Sequence, residues 1–171
     1  MKGAWRGWLL AVLHLALVSS LAGKYLIDRR TLPHGWVRAE PYDPDLPIRG
    51  RYVQLQLDTR LDPPLLRTAE NPKLSTSGGL WIGPARLEMD KAGLILKRDE
   101  RGKKLWIGSS NGKYYLTDPV VFFIPERVAD PSRRPAGEEL WVEVSVPRQG
   151  LPRPIRLGVR RGGVLRPLRI E

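Results

Sequence analysis

Short alternating runs separated by turn residues fill the chain from residue 51 to its end, and this pattern excludes most folds. Arg51–Leu57 places Val53, Leu55 and Leu57 on one face and Tyr52, Gln54 and Gln56 on the other. A period of two belongs to a strand with one buried face. Leu140–Val146 and Ile155–Arg160 alternate in the same way. Leu80–Gly83, Arg86–Met89, Leu94–Lys97, Lys104–Ile107, Tyr114–Leu116, Val120–Ile124 and Val164–Ile170 read as further strands. Asp90–Gly93, Asn111-Gly112 and Arg161-Gly162-Gly163 read as hairpin turns. Asn-Gly suits the tight hairpin turn in which both central residues need positive φ. Asp62-Pro63-Pro64 ends the first strand, Leu65–Gly79 shows no clear period, and Arg127–Glu138 reads as a charged loop with at most a helical turn. With 16 prolines and 17 glycines, turns are favoured over long helices. About nine short strands at this spacing predict a mainly β domain, an antiparallel β-sandwich or partly open barrel.

The N-terminus is different. Gly7–Gly23 carries no charge, and Tyr25-Leu26-Ile27 resumes the apolar run after Lys24. A helix rises about 1.5 Å per residue against a hydrocarbon core of about 30 Å, so this stretch is long enough to span if Lys24 snorkels. Trp5, Trp8 and Tyr25 suit interfacial anchors. A cleaved signal peptide is the rival reading, since Ser20-Leu21-Ala22 resembles a small-x-small cleavage site. The expected organisation is a basic tail (1–6), a transmembrane signal-anchor (7–27), a connector (28–40) and a β-rich domain (41–171).

The residues offer no catalytic set. Cysteine is absent, and the two histidines, His14 and His34, lie in the apolar segment and the connector. That argues against a thiol nucleophile, a histidine general base and a His or Cys metal site. Gly78-Gly79 and Gly162-Gly163 are isolated pairs rather than phosphate loops, and Asp43 with Asp45 supplies too few oxygens for calcium. The expectation is no catalytic residue, no cofactor and no metal. The net charge of +11 points to an anionic partner. Arginine is dense near the C-terminus, where Arg156 and Arg160 share a strand face opposite Ile155, Leu157 and Val159. Arg153, Arg156, Arg160 and Arg161 are therefore candidate anion-binding residues, the alternative being a solvated strand face. Each cation near an anionic membrane surface contributes roughly 1 kcal/mol. Trp81, Trp106 and Trp141 are expected in the core.

The stretch YDPDLPIRGRYVQLQL resembles the signature of the GDYXXLXY family, small bacterial membrane-anchored proteins of unknown function. Asp43, Pro44, Arg49, Gly50, Tyr52 and Leu55 match it, whereas Arg51 replaces an aspartate and Leu57 the final tyrosine. Phe122-Phe123-Ile124-Pro125-Glu126 is similar to the family's Tyr-Phe-Ile-Pro-Glu element, so Phe123, Pro125 and Glu126 are further motif positions without an assigned role. The resemblance implies an outward-facing β-rich domain behind a single span, and no known activity. A fainter likeness to type I signal peptidases fails on chemistry, because no serine lies between Ser20 and Ser75.

Orientation rests partly on that resemblance. The basic residues Lys24, Arg29, Arg30 and Arg38 at the C-terminal end of the span and beyond it outnumber Lys2 and Arg6 before it, yet a short basic tail also acts as a signal-anchor. The expectation is a single-pass protein of the inner, cytoplasmic membrane with its C-terminal domain facing the periplasm or exterior. Such a domain would not meet nucleic acid. The function expected is non-catalytic binding of a partner membrane protein, an anionic lipid or an anionic envelope polymer, in a basic or apolar groove without converging carboxylates. The alternatives are an envelope hydrolase, needing two acids within about 10 Å in a cleft, and an accessory subunit of a membrane complex.

Overall fold

With no charge between Gly7 and Gly23, the N-terminal segment has no polar face to turn toward water, and it folds as one helix, α1 (Ala4–Thr31). The computed structural model describes residues 4–42, 52–69, 75–76, 79–126 and 128–170. They fall into two units, Met1–Leu32 and Pro33–Glu171. In the first, Trp5–Asp28 is a 24-residue apolar span whose most apolar 18-residue window has a mean hydropathy of 1.7. At 1.5 Å per residue the span is about 36 Å, enough to cross a bilayer. A signal sequence has the same properties. Polar side chains of α1 turn back on its own backbone: His14 Nδ1 bonds to the Leu10 carbonyl (3.0 Å), and Thr31 Oγ1 donates to Ile27 (2.9 Å).

The second unit is mainly β. Its strands are β1 (His34–Pro41), β2 (Tyr52–Leu61), β3 (Ser75–Thr76), β4 (Gly79–Asp90), β5 (Gly93–Arg98), β6 (Lys103–Ser110), β7 (Lys113–Leu116), β8 (Val120–Phe123), β9 (Glu138–Ser145), β10 (Arg153–Arg161) and β11 (Val164–Pro167), with helix α2 (Pro63–Ala69) after β2. They join in the order β11-β10-β9-β1-β2-β5-β4-β6-β7, with β3 on β4 and β8 on β2. A further pairing of β2 with β7 closes β2, β5, β4, β6 and β7 into a ring. The described pairings are antiparallel except for a short parallel contact between Arg60–Leu61 and Ile95–Leu96. The architecture is mainly β, as expected, and of the two expected forms, sandwich or partly open barrel, the partly ring-like sheet matches the second.

β2 belongs to both parts. Its first half bonds to β1 and β8, and its last four residues bond to β7 and β5. The alternation of its sequence is realised: Val53, Leu55, Leu57 and Thr59 are buried. Val53, Leu55 and Leu57 join Val37, Ala39, Val142 and Leu157 from the open sheet, and Leu87, Leu96, Ile107 and Leu116 from the ring, in one core.

Local chemistry explains the turns. Asn111 and Gly112 have φ of 51° and 73°, and Ser110 faces Lys113 across them. Two successive positive φ values match the right-handed twist of the flanking strands. In β4, Gly83 (φ 84°) precedes Pro84, and the register with β6 shifts between Trp81 and Pro84. A glycine-assisted bulge bends this long strand so that the ring can close.

Three regions differ from the sequence expectation. Residues 28–40, expected as a connector, divide between the end of α1 and strand β1. The cause is burial: Val37 and Ala39 enter the core while β1 pairs with β9 and β2. The aperiodic stretch after Asp62 contains α2. Asp62 caps it, accepting the Leu65 N–H (3.0 Å), and its second oxygen accepts the Arg98 N–H (3.1 Å). An aspartate cap with proline at the first helical position starts a helix too short to show a period. Finally, Trp106 is 42% exposed rather than core, and Trp141 is half-buried on the outer face of β9.

Two residues of the family-like motif should therefore respond unequally. Leu55 is fully buried and Phe123 is 76% exposed, against Tyr52 in an edge-on contact at 6.3 Å. Leu55→Ala should cost about 2–5 kcal/mol, and Phe123→Ala about 1 kcal/mol or less. Denaturant titration of the full chain in micelles would measure both.

Candidate functional site

Strand register places a set of polar and aromatic side chains on one face of the open sheet. Trp36 of β1 faces Glu143 of β9, which faces Arg156 of β10; Arg38 faces Trp141, which faces Gly158. Glu40 faces Gln56, and on the same side of β2 Gln54 faces Val121 and Tyr52 faces Phe123 of β8. The residues between them are the buried ones, so this is the outer face. Its aromatic rings are fixed by neighbours. Arg156 donates from Nε to Glu143 and lies 5.4 Å from the centre of the Trp36 ring. Arg160 lies 5.2 Å from the centre of the Trp141 ring, whose Nε1 donates to Glu139 (3.3 Å). A Cβ on Gly158 would come 2.6 Å from Trp36 Cζ3, so a side chain there would collide with the indole.

The groove forms where β1 and β2 part. They pair from Ala39↔Leu57 to Pro41↔Leu55. Before Ala39, β1 continues on β9 alone, and after Leu57, β2 turns to β7 and β5. Arg38 and Asp58 sit at the fork. The space that opens beside them has a volume of about 570 Å³, within the range of small-ligand sites. The Asp90–Gly93 turn and the Asn111-Gly112 turn reach its rim, and Trp36, Tyr114 and Trp141 line it. Arg60 steadies the rim by bonding to the Asp90 carboxylate, which also accepts the Ala92 N–H (2.8 Å). Those bonds, the Arg60 one foremost, hold Asp90 below the ordinary aspartate range.

At the fork one guanidinium serves three carboxylates. Arg38 reaches Glu40 at 3.3 Å, Glu139 at 3.6 Å and Asp58 at 3.9 Å, each from a different nitrogen. One cation does not fully compensate three partly desolvated anions. Burial pushes the Asp58 carboxyl above its ordinary value of 3.8; Arg38 and Lys113 pull it back, while Glu40 and Glu139 push it up further.

The structure brings some of the sequence-selected residues together. Tyr52, Phe123, Arg156 and Arg160 share the outer face, and Arg160 lines the groove. Arg161 stands at the β10–β11 turn, 3.9 Å from Glu138. Arg153 lies at the other end of β10, in register with Ser145. The four arginines thus extend along a strand rather than around one point. Leu55 belongs to the core, and Pro125 and Glu126 follow β8. Asp43, Pro44, Arg49 and Gly50 lie outside the described residues. Sequence reasoning missed Trp36, Arg38, Asp58 and Glu139. The signal was present in WVRAE, where Trp36, Arg38 and Glu40 alternate with Val37 and Ala39.

Asp58 gives a pH-dependent test. Its folded-state value lies above the unfolded one, so protonation favours the folded state. That contribution is complete below 3.8 and is lost as pH rises through the folded-state value. Asp58→Asn should therefore be more stable than the parent at neutral pH, with the gap closing as pH falls below 3.8. Denaturant midpoints across that range would show it.

Comparison of the chain with family models, curated proteins and solved structures finds no match.

Proposed function

We propose that this chain is a single-pass protein of the cytoplasmic membrane whose β-domain, on the outer side, binds an anionic component of the envelope without altering it chemically. The observation that carries the reading is the groove at the β1–β2 fork, lined by Arg38, Arg60, Lys113 and Arg160 against Asp58 and Glu139. The excess of cations agrees with the net charge of +11. The length and apolarity of α1 support the membrane anchor, and membership of the GDYXXLXY family, which we propose from the motif residues, supports the outward orientation.

Carboxylates do converge here, as a hydrolase would require. Asp58 and Glu139 both approach Arg38, at 3.9 and 3.6 Å. In paired-acid hydrolysis the space between the acids receives the scissile oxygen or a water. In this groove the Arg38 guanidinium lies between them. The acids serve to hold a cation in place, which favours recognition over bond cleavage.

The reading is tested with the full chain in neutral-lipid nanodiscs, titrated with anionic glycans and polyphosphates by calorimetry. Binding should weaken with added salt. Replacing both Lys113 and Arg160 with glutamine should lower affinity at least about tenfold, from two lost charge contacts of roughly 1 kcal/mol each. Failure of any anionic polymer to bind would refute the reading. A C-terminal reporter fusion that is active in the cytoplasm would refute the orientation.

A further inference from the structure

Asp58 and Glu139 hold Arg38 at 3.9 and 3.6 Å, beyond hydrogen-bond length, so both carboxylates keep acceptor capacity toward the groove that they line. A bare polyanion in this groove would gain from Lys113 and Arg160 and lose from Asp58 and Glu139, which also line it. Asp58 is kept at the fork although its burial disfavours the charged form. An acid at such a position suits a ligand that brings hydrogen-bond donors without positive charge, and hydroxyl groups are the common case. The aromatic lining adds a second requirement. Tyr114 offers flat apolar surface beside the charged groups, suited to the C–H face of a ring that is polar at its edge. The stacking of Arg160 over the Trp141 ring adds a third: a guanidinium held at a fixed place in the groove, its edge able to offer a carboxylate two parallel hydrogen bonds.

Resting on the binding reading above, we infer that the groove takes a carboxylate-bearing sugar unit, with ring hydroxyls on Asp58 and Glu139, the ring face on Tyr114, and the sugar carboxylate on Arg160. The unit combines the three chemistries that the lining offers. A phosphate polymer supplies the charge but no hydroxylated ring face, and a neutral glycan supplies the ring but leaves the arginine unanswered.

The test uses the full chain in neutral-lipid nanodiscs and three probes: a hyaluronan tetrasaccharide carrying uronate rings, neutral chitotetraose, and tripolyphosphate. Calorimetry should show the uronate probe binding at least tenfold tighter than either of the others. Asp58→Asn and Glu139→Gln should each weaken the uronate probe several-fold and leave tripolyphosphate equal or tighter; Arg160→Gln should weaken both. Since Asp58→Asn is expected to stabilise the fold, loss of binding in that variant would not reflect unfolding, and its denaturant midpoint checks this. Tripolyphosphate binding as tightly as the uronate probe, with both tightened by Asp58→Asn, would overturn the sugar assignment and leave anion binding standing. Equal binding of chitotetraose would overturn the role of the carboxylate. Binding of none of the three would overturn both this inference and the reading on which it rests.

Discussion

A ten-residue strand keeps its backbone bonded on both edges only if one neighbour takes over where another leaves, and β2 is built under that constraint. β1 and β8 serve its first half; β7 and β5 serve its second. A buried N–H or C=O without a partner costs on the order of 1–3 kcal/mol, so each departing strand has to be matched by an arriving one. The inner face of β2 meanwhile stays continuous, from Val53 through Thr59. One strand thereby couples an open sheet to a closed ring through a single core, and the rest of the β-domain is arranged around it.

The groove is a by-product of this exchange of partners. Where β1 leaves β2, two outward-facing side chains that would otherwise be ordinary cross-strand neighbours, Arg38 and Asp58, are left facing an opening. The electrostatics follow from the register. Glu40 precedes the fork on β1, and Glu139 arrives on β9, so Arg38 gathers all three acids. Neighbouring Trp–Arg contacts then limit the rotamers of the aromatic lining. The site is held by strands rather than by a long loop, which favours a preformed shape.

Much of the fold was legible in the sequence, because strand alternation and turn chemistry are local. RYVQLQL gave the correct buried face, and Asn111-Gly112 the correct hairpin. α2 was hidden because seven residues hold too few turns to show a period, although Asp62-Pro63 marked its start. β1 was hidden by its position beside the apolar helix, where a linker was the natural reading. The groove was the least legible part. It depends on which strands meet: Arg38, Asp58 and Glu139 are far apart in the chain, and nothing local in their surroundings announces that they converge. Arg160 was selected for its charge, while its aromatic neighbour Trp141 was assigned to the core.

The pairing of β1 with β9 has a mechanical side. It begins at His34 and runs through Arg38, and the Val146 N–H bonds to Pro33 just before it (2.8 Å). A load applied to the N-terminus enters the β-domain along this strand. It is resisted by the ladder to β9 before it can reach the residues at the fork. The strand that shapes the groove is thus clamped from His34 onward, so a pull on the residues before it would load the backbone hydrogen bonds to β9 before it reached Arg38.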